Sequence, residues 1–139
     1  MSLSNAAETA VLEQVFLGTA LPWNANTDLW IALYSADPGE AGTAPTNEIV
    51  TGDWDTYARK AVTRATDLAV AGNVVSNVNL EQFVASGGGS GTVITHAGLV
   101  TTASGAGTLI ASHILNNPIT VGVGTQPQFA PGAFAFDIN

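Results

Sequence analysis

The chain has 139 residues, 46% apolar and only 10% charged, with three bases against eleven acids for a formal net charge of −8. Arg59, Lys60 and Arg64 are the only bases and fall in one short segment, so no extended basic stripe exists to neutralise phosphates and no nucleic-acid partner is expected. No apolar run approaches the length of a membrane span, the start lacks the basic region of a secretory signal, and the absence of cysteine removes disulfide and thiol chemistry.

The length predicts a single domain over residues 1–139, able to bury roughly 68% of its unfolded surface. Charge far below the roughly 25% of an ordinary domain leaves a surface of Thr, Ser, Asn, Gly and Ala, suited to contact with neighbouring protein. In chain order, the first element is a helix over 4–17. Asn5 with Glu8 three residues on gives a capping-box pattern, with Ser4 as a rival N-cap. Ala7, Val11, Leu12, Val15 and Phe16 recur at helical spacing and are expected to face the core, with Gly18 closing the helix.

Leu21 to Thr27, containing Pro22 and Trp23, lead into the segment from Asp28 to Pro38. Trp30, Ala32 and Tyr34 point to one side of that strand and Leu29, Ile31 and Leu33 to the other, so it is expected to be buried on both faces. From Asp37 to Asp55 the composition turns to Gly, Pro, Thr and acids, which predicts a long exposed connection, mobile in the isolated protein. Tyr57 to Val62 resumes an extended pattern. Two short β-prone runs flank Ala71-Gly72-Asn73 as in a hairpin, and Gly87 to Gly91 reads as a flexible loop. Strands follow at Thr92 to Val100, Thr108 to Leu115, Ile119 to Val123 and Ala133 to Ile138, with a turn at Asn116-Asn117-Pro118. Short strands at this spacing predict a mainly β fold, an antiparallel β-sandwich or jelly-roll-like domain with one N-terminal α-helix.

The order of motifs resembles a family of small tailed-bacteriophage virion structural proteins, often labelled tail-fibre or structural proteins. Leu3 to Glu8 match its Leu-Ser-Asn-x-x-Glu opening, Leu33 to Pro38 its Leu-Tyr-x-x-Asp-Pro strand end, Tyr57 to Val62 its Tyr-Ala-Arg-x-x-Val segment and Gly91 to His96 its Gly-Thr-Val-x-Thr-His strand. The chain departs from the pattern at Thr51 to Asp55, where an aromatic and two acids replace a glycine-rich stretch. The resemblance implies a component of a phage particle, assembled in the bacterial host cytoplasm.

Chemistry-bearing residues do not form a recognisable constellation. His96 and His113 lie on separate strands without HExxH spacing or a strained nucleophile turn, and both read as hydrogen-bonded sheet residues. Asp37, Glu40, Glu48, Asp53 and Asp55 lack the spacing of a calcium loop, and nothing sets two of them across a sugar site. Gly87 to Gly91 lacks the Lys-Ser/Thr of a phosphate loop. No catalytic residue, metal or cofactor is therefore expected.

Trp54 and Trp23, with Asp53 and Asp55, are the candidate partner-binding residues, because aromatics in polar loops serve as anchors when they do not fold onto the core. The expected function is a non-enzymatic virion structural protein. A homo-oligomeric capsid decoration (cement) protein on the outer shell is favoured, since −8 per copy suits the side away from the genome. A tail component, either fibre base or adaptor, is the alternative, and a carbohydrate-binding receptor module the reading from another class. Other virion proteins are the expected partners, and no membrane.

Overall fold

The structure, a computed structural model, describes residues 2–137. Residues Ser2–Leu3 form a first short strand, β1, and helix α1 follows at Asn5–Leu17. The remaining strands are β2 (Asp28–Tyr34), β3 (Lys60–Thr63), β4 (Leu68–Ala71), β5 (Val74–Asn77), β6 (Glu81–Gln82), β7 (Thr92–Val100), β8 (Leu109–Val121), β9 (Gln128–Phe129) and β10 (Ala135–Asp137). All pairings are antiparallel, in a five-stranded sheet ordered β1-β8-β7-β2-β3, a three-stranded sheet β10-β5-β4 and a two-stranded sheet β6-β9. The fold is mainly β and sandwich-like, with one N-terminal helix. The expected last strand residue, Ile138, lies outside the described residues.

The main core sits on one face of the five-stranded sheet. Leu29, Ile31 and Leu33 of β2, with Val62, Ile94 and Leu99, meet Phe83, Phe129, Phe134 and Phe136 from the smaller sheets and their loops. The other face of β2 carries Ala32 and Tyr34, which join Ala44, Val100 and Leu109 in a second cluster with Trp30 packed at its edge. Burial of β2 on both faces thus holds, and the reason is the alternation of an unbroken apolar strand. The middle of the sheet, however, is β7, with β2 beside it.

Local chemistry sets the helix start. Ser4 is extended (φ −69°, ψ 155°) and its Oγ accepts from the Ala7 amide at 3.2 Å, so it is the N-cap. The Asn5–Glu8 box does not form, because β1 pairing carries the chain extended through residue 4 and the Asn5 amide donates to the Glu40 carbonyl at 2.9 Å. Gly18 ends the helix at φ 69°, in the left-handed region that a side chain disfavours.

Two further expectations are corrected. Asn116-Asn117-Pro118 is no turn between strands but lies within β8, where the β7 register shifts between Ile94 and His96. β1 covers β8 only at Ala111 and Ser112, so beyond it the outer edge has no ladder to break, and proline is tolerated there. The hairpin of β4 and β5 does form, around Gly72-Asn73, with Gly72 at φ 63°.

Candidate functional site

The acid-rich segment after β2 is built into the fold. Its backbone extends the ladder past the end of β3: Ile49 N–H donates to Leu33 O at 3.0 Å and Ser35 N–H to Asn47 O at 3.1 Å, with a bridge between Tyr34 and Glu48. Tyr57 completes the edge, its hydroxyl accepting from Leu33 N–H at 3.0 Å and donating to Glu48 Oε1 at 2.8 Å.

Glu48 is gripped on its other side by Arg59. The guanidinium donates from Nε to Oε1 at 2.7 Å and from Nη2 to Oε2 at 2.6 Å, the two-pronged geometry that arginine alone offers a carboxylate. Its remaining donors reach the carbonyls of Thr102 (2.9 Å) and Gly105 (2.8 Å), so one side chain ties the acidic segment to the β7–β8 turn. The arginine is buried and the glutamate largely so, at 2% and 11% side-chain exposure. Hydrogen bonding to Glu48 holds the arginine above its usual value, and burial pushes the hydroxyls of Tyr57 and Tyr34 up.

Trp54 is wholly buried. Its indole N–H donates to Thr56 Oγ1 at 2.9 Å and its ring packs on Tyr57 and Phe83, opening a chain of ring contacts that runs through Phe129 to Phe134 and Phe136. Trp23 is also a core residue, its loop held by Arg64, which donates to the carbonyls of Trp23, Asn24 and Asn26. Neither tryptophan presents an exposed ring for a partner to grasp, so the aromatic anchor expected in these loops is absent from the folded chain's surface. The physical reason is that each large ring gains more from the core than from water.

Asp53 and Asp55 are occupied in closing the glycine-rich loop. Gly87 N–H donates to Asp55 Oδ1 and Ser90 Oγ to Asp53 Oδ1, each at 2.9 Å, while Ser90 and Gly91 amides reach the carbonyls of Gly52 and Asp53 at 3.0 Å. Gly89 is required here: at φ 106° a Cβ would lie 2.5 Å from Asp53 O. The loops expected to be mobile are therefore strapped to each other.

The histidines remain apart from this lock. His96 Nδ1 shares a hydrogen bond with Thr95 Oγ1 at 2.9 Å, whereas the buried Nδ1 of His113 has no partner and its ring rests against Phe134. Burial drives the His113 pKa down to about 4. A groove of about 660 Å³ opens beside it, lined also by Asn116, Asn117 and Asp137. Among the described residues no three His, Asp or Glu side chains converge on a possible metal position. Every base has protein partners, Lys60 meeting Glu81 at 3.6 Å. The Glu48–Arg59 pair is not evident from the sequence; the signal for it is an arginine, next to Lys60, in an otherwise apolar extended segment of a chain with only three bases.

Large apolar side chains do lie on the surface, singly at positions such as Ile114 and Val123 and in a run on α1. Ala7 and Ala10 face the core, while Val11, Leu12, Val15, Phe16 and Leu17 are exposed, Phe16 by 76%. The helix expected to bury its stripe of larger residues buries its alanines instead.

The chain is thus a hydrogen-bonded β framework whose N-terminal helix leaves large apolar side chains exposed. The model of a family described as podophage GP4 fiber I protein gp80 matches residues 2–137, and the chain belongs to that family. Its role is that of a virion structural protein. No curated protein matches the chain.

Proposed function

We propose that the chain is a non-enzymatic module of the tail fibre apparatus of a podophage-like particle. The observation that carries this reading is the family match over nearly the whole chain, whose description is that of a fibre protein. The architecture supports it. The polar side chains with the strongest chemistry are consumed in internal ties, Glu48 by Arg59, Asp53 and Asp55 by the glycine loop, which gives a stiff unit suited to load and repeated contact. Its partners are other virion proteins and further copies of itself.

Capsid decoration, favoured by charge alone, ranks second because an acid excess suits any outward-facing part of a particle equally well. The glycan-receptor reading relied on an exposed Trp54 and has lost that support. Labelled copies located by electron microscopy on purified particles test the proposal. Label at the tail vertex, with a few to a few dozen copies per particle, is the expected result. Label spread over the shell in hundreds of copies would replace the fibre reading with decoration.

A further inference from the structure

We propose that β4 is a self-association edge, on which β4 of a second copy of this chain pairs antiparallel across a two-fold axis and joins two three-stranded sheets into one. The proposal stands on the edge itself and does not depend on where in the particle the protein sits.

A free strand edge is a template for another strand, and folded proteins blunt such edges with brevity, charge, proline, bulges or a covering segment. Among the described residues every edge but one is blunted. β1, β6 and β9 are two residues long, and the open stretch of β8 carries Pro118 and an irregular register. β10 ends on Asp137 and lies against β8. β3 begins with Lys60, and Asp67 caps its far end: Thr63 N–H donates to Asp67 Oδ2, and Asp67 N–H to the Thr63 carbonyl, each at 2.8 Å. β4 has none of these devices. Its Leu68-Ala69-Val70-Ala71 is uncharged, free of proline and bulge, and exposed from Ala69 onward, Val70 by 73%.

The register fixes which backbone groups are open. Ala71 and Val74 flank the two-residue Gly72-Asn73 turn, and Val78 N–H donates to Asp67 O at 2.9 Å. The N–H and C=O of Ala69 and Ala71 therefore turn toward β5, and those of Leu68 and Val70 turn away, where no described strand receives them. A second β4 with Ala69 opposite Ala69 sets Leu68 against Val70 twice, and each such pair can exchange two hydrogen bonds. In that register the Leu68 and Val70 side chains of both copies fall on one side of the joined sheet. On that side Val70, Val75 and Phe136 form a row across the three strands, bordering an apolar groove of about 460 Å³. An added strand thus gains main-chain bonds from the edge and apolar cover from the groove.

The self-complementary register selects the occupant. Two-fold pairing uses both open edges at once and leaves none for a third chain. No other strand among the described residues keeps an open edge of this kind, so β4 is the segment of a second copy that fits. Charge permits the contact. Two copies of net charge −8 repel each other over much of their surface, but residues 68–80 carry no charge. Asp67 is tied to Thr63 and Asn79 and would stand opposite Ala71, not opposite its own copy. A charged partner strand would find no counter-ion on the hairpin. Four residues from each copy make a small interface, below about 1,200 Å² in total, the class of weak contacts.

The test measures the mass of the full chain by sedimentation equilibrium up to about 1 mM, where contacts of this class are populated. The parent should form a dimer. Ala69→Glu sets two carboxylates face to face, and Val70→Pro removes an outward N–H while leaving the bonds to β5 in place. Each should associate at least about fivefold more weakly and keep the circular dichroism of the fold. Mixing Ala69→Glu with Ala69→Lys should restore association, because residue 69 faces itself across the axis. The chain has no native cysteine, so proximity can be read separately. Directly opposed residues of a non-bonded antiparallel pair lie about 4.5 Å apart at Cα, within disulfide reach. Ala69→Cys alone should therefore give a disulfide-linked dimer on mild oxidation, and Val123→Cys, exposed elsewhere, should not. A parent that stays monomeric throughout the series, a multimer that persists in Ala69→Glu, or cross-linking as ready through Val123→Cys as through Ala69→Cys would each overturn the proposal.

Discussion

The acidic segment after β2 and helix α1 exchange the roles that their compositions suggest. Residues 37–55 are rich in Gly, Pro and acids, yet Ala44, Ile49 and Trp54 within them are buried and Glu48 anchors the Arg59 lock. Helix α1 is rich in apolar residues, yet most of its large ones meet solvent. The difference teaches that composition reports what a segment can bury, while placement is decided by which backbone and side-chain groups find partners. A polar loop is ordered when each donor has an acceptor; an apolar helix stays uncovered when its own domain offers only a narrow seat.

The comparison can be broken most forcefully at the lock. Arg59→Ala should cost about 3 kcal/mol, since it leaves the largely covered Glu48 carboxylate with only Tyr57 as a partner and frees the carbonyls of Thr102 and Gly105. Chemical denaturation would measure it, and a loss below 1 kcal/mol would mean that the loop is not held by this pair. Asn77→Ala comes next. This buried amide donates to the carbonyls of Asn79 and Ala130 and accepts from the Phe134 amide, joining β5 to the C-terminal segment. Its loss should cost about 2–3 kcal/mol, by leaving those groups unpaired. A near-neutral result in the same assay would show that water replaces it.

A smaller effect is expected at His113. The unfolded chain takes up a proton there near pH 6.5, but the folded chain resists until about pH 4. The unfolded state therefore binds more protons in that window, and stability falls as the pH drops through it. Glu81, raised by burial, acts in the opposite sense, so the parent's pH profile mixes the two. Subtracting the profile of His113→Phe isolates the histidine, with an expected difference on the order of 1–2 kcal/mol between pH 7 and pH 4. Parallel profiles would show that the ring is solvated. The smallest change belongs to the helix: Leu12→Ala, made where the protein is monomeric, should shift stability by no more than about 0.5 kcal/mol.

Much of the fold was legible before the structure. The two-faced alternation from Leu29 to Tyr34, the Gly72-Asn73 hairpin and the run from Thr92 to Val100 are local patterns, and each forms where the pattern places it. The Asn116-Asn117-Pro118 signal failed because a turn sequence at a free sheet edge can be absorbed as an irregularity in a continuous strand. Less of the site was legible. Helical periodicity identifies a stripe but not which body covers it, and the spacing of Val11, Leu12, Val15 and Phe16 is the same whether they face the core or solvent. Trp54 lies in a polar neighbourhood in sequence, whereas its ring packs on Phe83, which arrives from a distant segment and is itself packed on Phe129. Glu48 and Arg59 are brought together by the backbone pairing of the segment around Glu48 to the end of β2, which no local pattern announces.

The central claim is that the loop aromatic belongs to the domain and the helix aromatic does not. Trp54→Ala and Phe16→Ala, unfolded side by side at a concentration where both are monomeric, test it directly. The account predicts a loss of about 3–5 kcal/mol for Trp54→Ala, the cost of an emptied core site, against at most about 0.5 kcal/mol for Phe16→Ala. Equal losses, or a larger one at Phe16, would contradict it.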